Sequence, residues 1–208
     1  MSRMSPRTLA LAALLLCLPM LCGRALAIPF LVSVDTGSLQ GTSGFLDLQF
    51  NPADAATPAA LASVTGFGGN LNLIGMPLLD GDVSGTLQGG LQLRNTTAFN
   101  SYFQAVQFGD LLRFVVDFSG AFSSLPSSLG TSFALSLLDA AQQPLLTNDI
   151  SGSLLRFELL AGDVTFQAFQ VNGRAAATVT QVTAPGTGTL LLTGMLLLIA
   201  PGLRRWLR

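Results

Sequence analysis

Apolar and polar residues alternate along much of the central part of the chain. In FLDLQF, Leu46, Leu48 and Phe50 fall on one side of an extended chain, and Asp47 and Gln49 fall on the other. The segments LLRFVVDFSG and SFALSLLD repeat this period of two. Successive side chains of a strand point to opposite faces, so the pattern predicts antiparallel sheets with one face buried and one face exposed to water.

Turn-forming residues separate these runs. Gly, Asn, Asp, Pro and Ser punctuate residues 28–180, and LLRFELLAGDVTFQAFQV predicts two strands joined at Gly162-Asp163. About eight to ten strands at this spacing favour an all-β, antiparallel β-sandwich or jelly-roll-like domain. Ala53 to Ala62 is the one stretch that suggests a short helix. All fourteen Phe residues lie in this domain, and we expect them to fill its core.

Residues 1–27 have the organisation of a secretory signal peptide. Two arginines precede an apolar core, and Ala25-Leu26-Ala27 is a small-x-small cleavage site. We therefore expect cleavage after Ala27 and export of the domain, with an uncleaved N-terminal anchor as the alternative. A leucine precedes each of the two cysteines of this segment, which disfavours a lipid anchor.

The chain that follows the signal peptide contains no cysteine, histidine or lysine. It therefore offers no disulfide framework, no Ser-His-Asp triad, no thiolate or imidazole nucleophile and no zinc site of the usual ligands. The predicted domain carries eleven acidic residues and four arginines, a net charge near −7. Such a surface is a poor partner for nucleic acid. We predict no catalytic residue, no cofactor and no metal site.

One short motif suggests an enzyme. Asp35-Thr36-Gly37-Ser38 follows an apolar run and spells the active-site motif of aspartic proteases. Such proteases need two aspartates that share a proton, so a single motif would require a homodimer, with Leu73 to Gly75 packing beneath the active loop. Asp-Thr-Gly-Ser is also ordinary turn chemistry after a strand, in which Asp caps the turn and Gly permits positive φ. We interpret Asp35 as a turn residue.

An internal similarity links two segments of the domain. PLLDGDVSGTL, at 77–87, recurs as PLLTNDISGSL at 144–154, which is consistent with a duplicated unit or with two equivalent corners of a sandwich. The first copy resembles the start of a calcium loop through Asp80 and Asp82, but Leu91 stands where an EF-hand needs a bidentate Glu. Turn geometry explains these Gly and Asp residues more simply. Asn95 opens a formal glycosylation sequon.

The C-terminal segment, residues 181–208, combines a linker, an apolar run and a basic end. The linker is rich in Gly and Thr, the apolar run extends from Leu190 to Leu203, and the basic cap consists of Arg204, Arg205 and Arg208. Fourteen helical residues cover about 21 Å, less than the ~30 Å of a bilayer core, so this single transmembrane helix is marginal. The positive-inside preference places the arginines in the cytoplasm. A removable retention signal fits this pattern better than a permanent anchor.

This tripartite end resembles the PEP-CTERM sorting signal of Gram-negative bacteria that make extracellular polysaccharide. Pro185, Gly186 and Thr187 stand in the place of the Pro-Glu-Pro motif, so the first proline alone is kept. The segments VSVDTGSLQGTSGFLDLQFNP, GDVSGTL, YFQ and SFALSLLD also resemble the exported domain of one family of PEP-CTERM proteins, over most of residues 30–160. The resemblance implies processing by exosortase, a membrane protease, and assigns no biochemical activity to the domain.

The sequence therefore predicts an exported, non-enzymatic protein of structural or adhesive type. It passes through an inner-membrane intermediate and reaches the cell surface or the extracellular matrix. Its expected partners are an exosortase-type protease and the membrane, and extracellular polysaccharide is a further partner that this interpretation allows. Two alternatives stay open. One is a carbohydrate-binding module, although sugar platforms favour Trp and Tyr and the domain has Tyr102 alone. The other is a homodimeric aspartic protease that uses Asp35.

Overall fold

The computed structural model describes residues 28–123, 127–171 and 173–182. The predicted signal peptide with Ala25 and Ala27 lies outside the described residues, as do Pro185, Gly186, Thr187 and the three C-terminal arginines. The described chain is all-β. Its strands are β1 Ile28–Asp35, β2 Ser43–Pro52, β3 Ala60–Gly69, β4 Asn72–Asp80, β5 Val83–Thr86, β6 Gly90–Arg94, β7 Ser101–Gln107, β8 Leu111–Gly120, β9 Thr131–Asp139, β10 Leu155–Leu160, β11 Asp163–Ala168, β12 Gln170–Val171, β13 Arg174–Ala175 and β14 Ala177–Gln181.

The strands form two six-stranded sheets, which we call sheet I and sheet II. Sheet I has the order β14-β1-β8-β3-β6-β5, and sheet II has the order β11-β10-β9-β2-β7-β4. Strands β12 and β13 form a separate small hairpin. Every strand pairing in the described residues is antiparallel. The chain passes from one sheet to the other at each step from β1 to β4, so neighbours in sequence lie in opposite layers.

The segments with alternating apolar and polar residues form strands, as predicted. In β2, Leu46, Leu48 and Phe50 are fully buried, whereas Gln49 and Asn51 on the other face are partly exposed. The apolar side chains therefore face the opposite sheet, and their removal from water stabilises the fold by roughly 1.5–3 kcal/mol each. This confirms the predicted all-β class and supports a sandwich-like packing of two sheets.

A cluster of phenylalanines joins the two sheets. Phe118 of sheet I lies 5.2 Å from Phe157 and 5.6 Å from Phe133 of sheet II, between ring centroids. Phe30, also in sheet I, lies 5.1 Å from Phe157. Only part of the Phe complement fills the core as expected. The buried members are Phe30, Phe50, Phe108, Phe114, Phe118, Phe122, Phe133 and Phe157.

The expected helix at Ala53 to Ala62 does not form. The segment turns, with Thr57 N–H donating to the Asp54 carbonyl, and then enters β3 at Ala60. Pro58 lacks a backbone N–H and restricts the residue before it, which disfavours a helix there. Ala60 and Ala62 instead pair with residues of β8.

The two ends of the described chain meet at one corner of sheet I. Phe30 of β1 pairs with Gln181 of β14, and Val182 N–H donates to the Pro29 carbonyl at 2.8 Å. Strand β14 thus continues one residue past 180, where the sequence analysis ends the domain. The described residues include no helix with the length and hydropathy needed to cross a membrane, and the predicted transmembrane segment lies beyond them.

Candidate functional site

The outer face of sheet II carries a groove along β9. Three successive outward residues of β9 are small, namely Ser132, Ala134 and Ser136, and they alternate with buried Phe133, Leu135 and Leu137; the next outward residue is Leu138. Larger polar side chains flank this floor on both sides. The groove has a volume of about 200 Å³ and is lined by Gln49, Asn51, Ser132, Ala134, Ser136, Ser151, Ser153 and Arg156.

Strand pairing explains how these residues meet. Gln49 of β2 pairs with Ala134 of β9, and Ala134 pairs on its other side with Arg156 of β10. Neighbouring strands lie about 4.8 Å apart, so the two walls are separated by roughly 10 Å of backbone spacing with a single methyl group between them. The small side chain at position 134 therefore creates the groove.

The β2 wall is a chain of hydrogen bonds. Asn51 Nδ2 donates to Gln49 Oε1 at 3.2 Å, and Gln49 Nε2 donates to Asp47 Oδ2 at 2.6 Å. Asn51 Oδ1 accepts a bond from Asn100 N–H, and Ser101 Oγ donates to Asp47 Oδ1 at 2.7 Å. These polar side chains are held by one another, so little side-chain entropy remains to be lost when the wall contacts a ligand.

Asp47 ends this chain in an unusual environment. Its side chain points away from the core, yet the residue is only 8% exposed. Desolvation by burial raises the pKa of Asp47 above its ordinary 3.8, and the hydrogen bonds from Gln49 and Ser101 partly offset this effect. Nearby on the same face, Phe45 and Phe103 stack with their ring centroids 4.8 Å apart. These two rings form an apolar patch beside β4, whose Ile74, Met76 and Leu78 are also exposed.

The opposite wall is organised around Arg156. Its Nη2 donates to Asp149 Oδ2 at 2.9 Å and also to Ser151 Oγ and Ser153 Oγ, and its guanidinium lies 5.4 Å from the centre of the Phe169 ring. Within the described chain, Nε and Nη1 have no hydrogen-bond partner. The side chain is 29% exposed. Arg156 is therefore fixed in place with donors left over, and Asp149 neutralises its charge.

The carboxyl of Asp149 responds to this environment. Burial alone would raise its pKa, but the hydrogen bond from Ser151, the charge of Arg156 and the backbone N–H groups of Ser151 and Ser153 outweigh burial. The pKa of Asp149 therefore lies below its ordinary 3.8.

Asp35, the residue of the protease motif, lies at the other end of β1 from the meeting point of the chain ends. It is exposed, and its Oδ1 accepts the Gly37 N–H at 3.0 Å, as expected for an aspartate that caps a turn. Thr36 is buried and donates to the Gly109 carbonyl. Gly37 begins a 3-10 turn without the positive φ that the sequence analysis allowed for it, because this turn uses right-handed backbone angles.

A cavity of about 460 Å³ adjoins Asp35, with Arg174 also in its wall. The segment Leu73–Gly75, which the protease interpretation places beneath the active loop, lies in β4 of the other sheet. There Ile74 pairs with Ala105. Asp110 lies close to Asp35, because the Thr36 N–H donates to the Asp110 carbonyl at 2.9 Å. Within the described residues, the Asp110 carboxylate makes no hydrogen bond to the Asp35 carboxylate, whose Oδ1 accepts the Gly37 N–H.

The acidic turn of the first repeat is a structural corner. Asp82 Oδ2 accepts a bond from Thr96 Oγ1 at 2.6 Å, and its Oδ1 lies 3.8 Å from Arg94 Nη1. Gly81 and Gly85 both have left-handed φ, and a Cβ on Gly85 would lie 2.1 Å from the Gly90 carbonyl oxygen. Turn geometry therefore accounts for these glycines. In the described residues, no three His, Cys, Asp or Glu side chains are grouped so that they could hold a metal ion.

Asn95, the sequon residue, is buried, and its side chain connects three segments by hydrogen bonds. Its Oδ1 accepts the Ala60 N–H at 2.7 Å, and its Nδ2 donates to the Pro58 carbonyl and to Thr131 Oγ1. The residue is 5% exposed. Its amide is therefore occupied in the folded domain, and a glycan could be attached only before folding.

The chain matches no known family model, no curated protein and no solved structure. Sequence reasoning missed the groove, because its residues come from β2, β9 and β10 and from the loop before β10. The one available signal was the row of small outward residues in SFALSLLD, at alternate positions beside large buried ones. Tyr102, the tyrosine considered for a sugar platform, is fully buried in the core.

Proposed function

We propose that this protein is an exported, non-enzymatic surface or extracellular-matrix protein of structural or adhesive type, sorted by its C-terminal PEP-CTERM-like signal. The observation that carries the proposal is the meeting of the two chain ends at one corner of sheet I. The predicted cleavage site after Ala27 and the predicted sorting motif at Pro185 lie next to these ends in sequence. Both targeting segments therefore attach to the same corner of the domain.

This corner orients the domain in the proposal. Pro185 lies three residue steps after Val182, a reach of at most about 11 Å when fully extended. The corner with Pro29 and Val182 then faces the membrane while the tail is attached. The cavity beside Asp35 lies at the opposite end of β1, roughly 25 Å away for an eight-residue strand, and faces outward.

The strand order supports the jelly-roll form of the sandwich that the sequence analysis expected. The neighbours β1-β8-β3-β6 in sheet I and β2-β7-β4 in sheet II follow the alternation of a jelly roll, in which successive strands change sheets. In this assignment β9, β10 and β11 extend sheet II beyond the jelly-roll set. They carry the groove, so the candidate site lies on an addition to the basic architecture.

The proposal is tested by the intact mass of the protein recovered from its host, with the cell envelope and the medium analysed separately. We expect a species that begins at Ile28 and ends near Pro185. The triple variant Arg204→Gln, Arg205→Gln, Arg208→Gln should accumulate with its tail uncut, because the basic cap holds the helix across the membrane. A wild-type species that ends at Arg208 and stays in the envelope would show a plain anchor and overturn the sorting proposal.

The alternative of a homodimeric protease is tested separately. Asp35→Asn should leave any peptidase activity of the purified protein unchanged, because the Asp35 carboxylate is occupied by its own turn. Asp54→Asn, at another exposed aspartate that caps a turn, is the matched control. Peptidase activity that is lost in Asp35→Asn and kept in Asp54→Asn would establish the enzyme and exclude the non-enzymatic role.

A further inference from the structure

We propose that the β9 groove on sheet II binds an uncharged polysaccharide chain, a site that rests on, and makes more specific, the adhesive role proposed above. The groove runs along β9 with a floor of Ser132, Ala134 and Ser136, between a wall of Gln49 and Asn51 and a wall of Arg156. The two walls are fixed before a ligand arrives. The shape suits a linear ligand that lies parallel to the strands.

The free hydrogen-bonding groups of the groove fit hydroxyl groups. Strand β9 is paired on both sides, with β2 and with β10, so its backbone groups are used within the sheet. Recognition must therefore come from side chains. The hydroxyls of Ser132 and Ser136 have no partner within the described chain, and the same is true of Nε and Nη1 of Arg156. A sugar hydroxyl can both donate and accept, so it can bond to the serine hydroxyls and to the arginine N–H groups. An extended peptide instead binds by pairing its backbone with an exposed sheet edge.

The charges around the groove favour an uncharged ligand. Asp149 neutralises Arg156 at 2.9 Å, Glu158 lies on the same outer face opposite Ser132, and Asp47 lies further along β2. The domain as a whole carries a net charge near −7, from eleven acidic residues and four arginines. A polyanion would be repelled by this field and would gain only one guanidinium that is already paired. The ligand class is therefore a neutral glycan.

The face also supplies apolar contact. The stacked rings of Phe45 and Phe103 lie on the outer face beyond Asp47, four residues from Gln49 along β2. At about 3.3 Å per residue this places Phe45 roughly 13 Å from Gln49, within reach of a chain several sugars long. Both rings are partly exposed. Because the rings are stacked, each covers one face of the other, and their remaining exposed area can contact the C–H groups of a pyranose, a role that buried Tyr102 cannot take.

The test is calorimetric titration of the protein recovered from its host with cellohexaose, maltohexaose, mannohexaose and, as the charged probe, hexagalacturonate. We expect saturable binding of at least one neutral hexasaccharide and weaker or no binding of the galacturonate. Ala134→Leu should abolish binding, because it fills the floor of the groove. Arg156→Gln should weaken binding by about tenfold or more, because it removes charged donors.

The matched control is Ser63→Leu. Ser63 lies on the outer face of sheet I and lines a second groove of about 200 Å³. This variant should bind like the wild type. The urea midpoints of all three variants establish that they fold. Binding that survives Ala134→Leu, binding of hexagalacturonate alone, or no binding of any neutral hexasaccharide would overturn the inference. Failure of the sorting proposal appears separately, in the mass and the location of the protein, and leaves the titration result intact.

Discussion

The two outer faces of the sandwich carry similar residues and organise them differently. Each has a groove of about 200 Å³, lined on sheet II by the β9 groove residues and on sheet I by residues that include Ser63, Thr65, Ser84 and Gln92. On sheet II the polar side chains bond to one another and to a half-buried arginine. On sheet I, Asp117 Oδ1 is buried and has no hydrogen-bond partner among the described residues.

The two Asp–Arg pairs make the difference measurable. Arg156 lies 2.9 Å from Asp149, with side chains that are 29% and 11% exposed, whereas Arg94 lies 3.8 Å from Asp82, with exposures of 42% and 36%. An exposed pair at the longer distance is screened by water and contributes little. The two faces therefore differ in how closely their charged groups are paired and shielded, although their composition is similar.

A substitution in the core between the two sheets should lower the free energy of unfolding most, because both sheets pack against this core. Phe118 of sheet I packs against Phe133 and Phe157, which lie on the inner faces of the groove strands β9 and β10. Phe118→Ala should lower the free energy of unfolding by about 3–5 kcal/mol through the cavity that it leaves. Urea denaturation measures this. A loss below that of Phe103→Ala, at an outward and partly exposed ring, would contradict the central place of Phe118.

Removing the acidic partner of each arginine should have an intermediate effect that differs between the faces. Asp149→Ala should cost about 1.5–3 kcal/mol, because it removes charge-assisted hydrogen bonds that are largely shielded from water. Asp82→Ala should cost about 1 kcal/mol or less, because the ion pair is exposed and the bond from Thr96 can be replaced by water. Equal losses in urea denaturation would remove the distinction drawn here between the two faces.

Neutralising the two outward carboxylates should have the smallest effect and the clearest dependence on pH. Burial raises the pKa of Asp47 and of Asp117, so each carboxylate destabilises the fold at neutral pH and loses this effect as the pH falls through its folded pKa toward 3.8. Asp117→Asn should stabilise the protein at pH 7 by roughly 0.5 kcal/mol or less, since partial exposure screens the charge. The gain should vanish below pH 3.8.

Asp47→Asn sharpens this comparison. It removes a buried charge as well. However, the two oxygens of Asp47 accept one bond each, from Gln49 and from Ser101, and an amide keeps only one oxygen, so one of these bonds is lost. We therefore expect Asp47→Asn to be less stable than Asp117→Asn at pH 7. The ionised carboxylate of Asp149 stabilises the fold, because its pKa is lowered in the folded state. This stabilisation is lost only as the pH falls below 3.8. Thermal melts across pH 3 to 7 would separate the three carboxylates.

Alternation within short segments predicted several strands, whereas features that depend on contacts between distant strands were not predicted. Alternation in FLDLQF placed Leu46 and Leu48 inward, and the turn expected near Gly162 joins β10 to β11. The bulge of β4 was not predicted. There the four-residue step from Ile74 to Leu78 faces only the two-residue step from Ala105 to Phe103, so the edge strand arches away from its neighbour. Such a mismatch depends on both strands and is invisible in either one alone.

The two similar segments show the same limit. The copy at 77–87 forms the end of β4, a turn and β5, whereas the copy at 144–154 touches β9 through Pro144 and forms no strand. Gly85 and Gly152 keep left-handed φ in both copies, which is the local part of the resemblance. The partners differ, because the turn at Asp82 is held by Asn100 and Asp149 is held by Arg156. Similar sequences therefore gave one strand-forming corner and one wall of a groove.

The pairing of the first strand with the last has a consequence for the order of folding. Strand β1 is synthesised first, but its neighbours in sheet I are β8 and β14. Contacts so distant in sequence form late and slowly, because a long loop must close before they are made. Sheet I therefore cannot be completed until residue 181 has emerged. In the export that we propose, a chain that crosses the membrane from its N-terminus would complete this edge of sheet I only once β14 has followed β1 across.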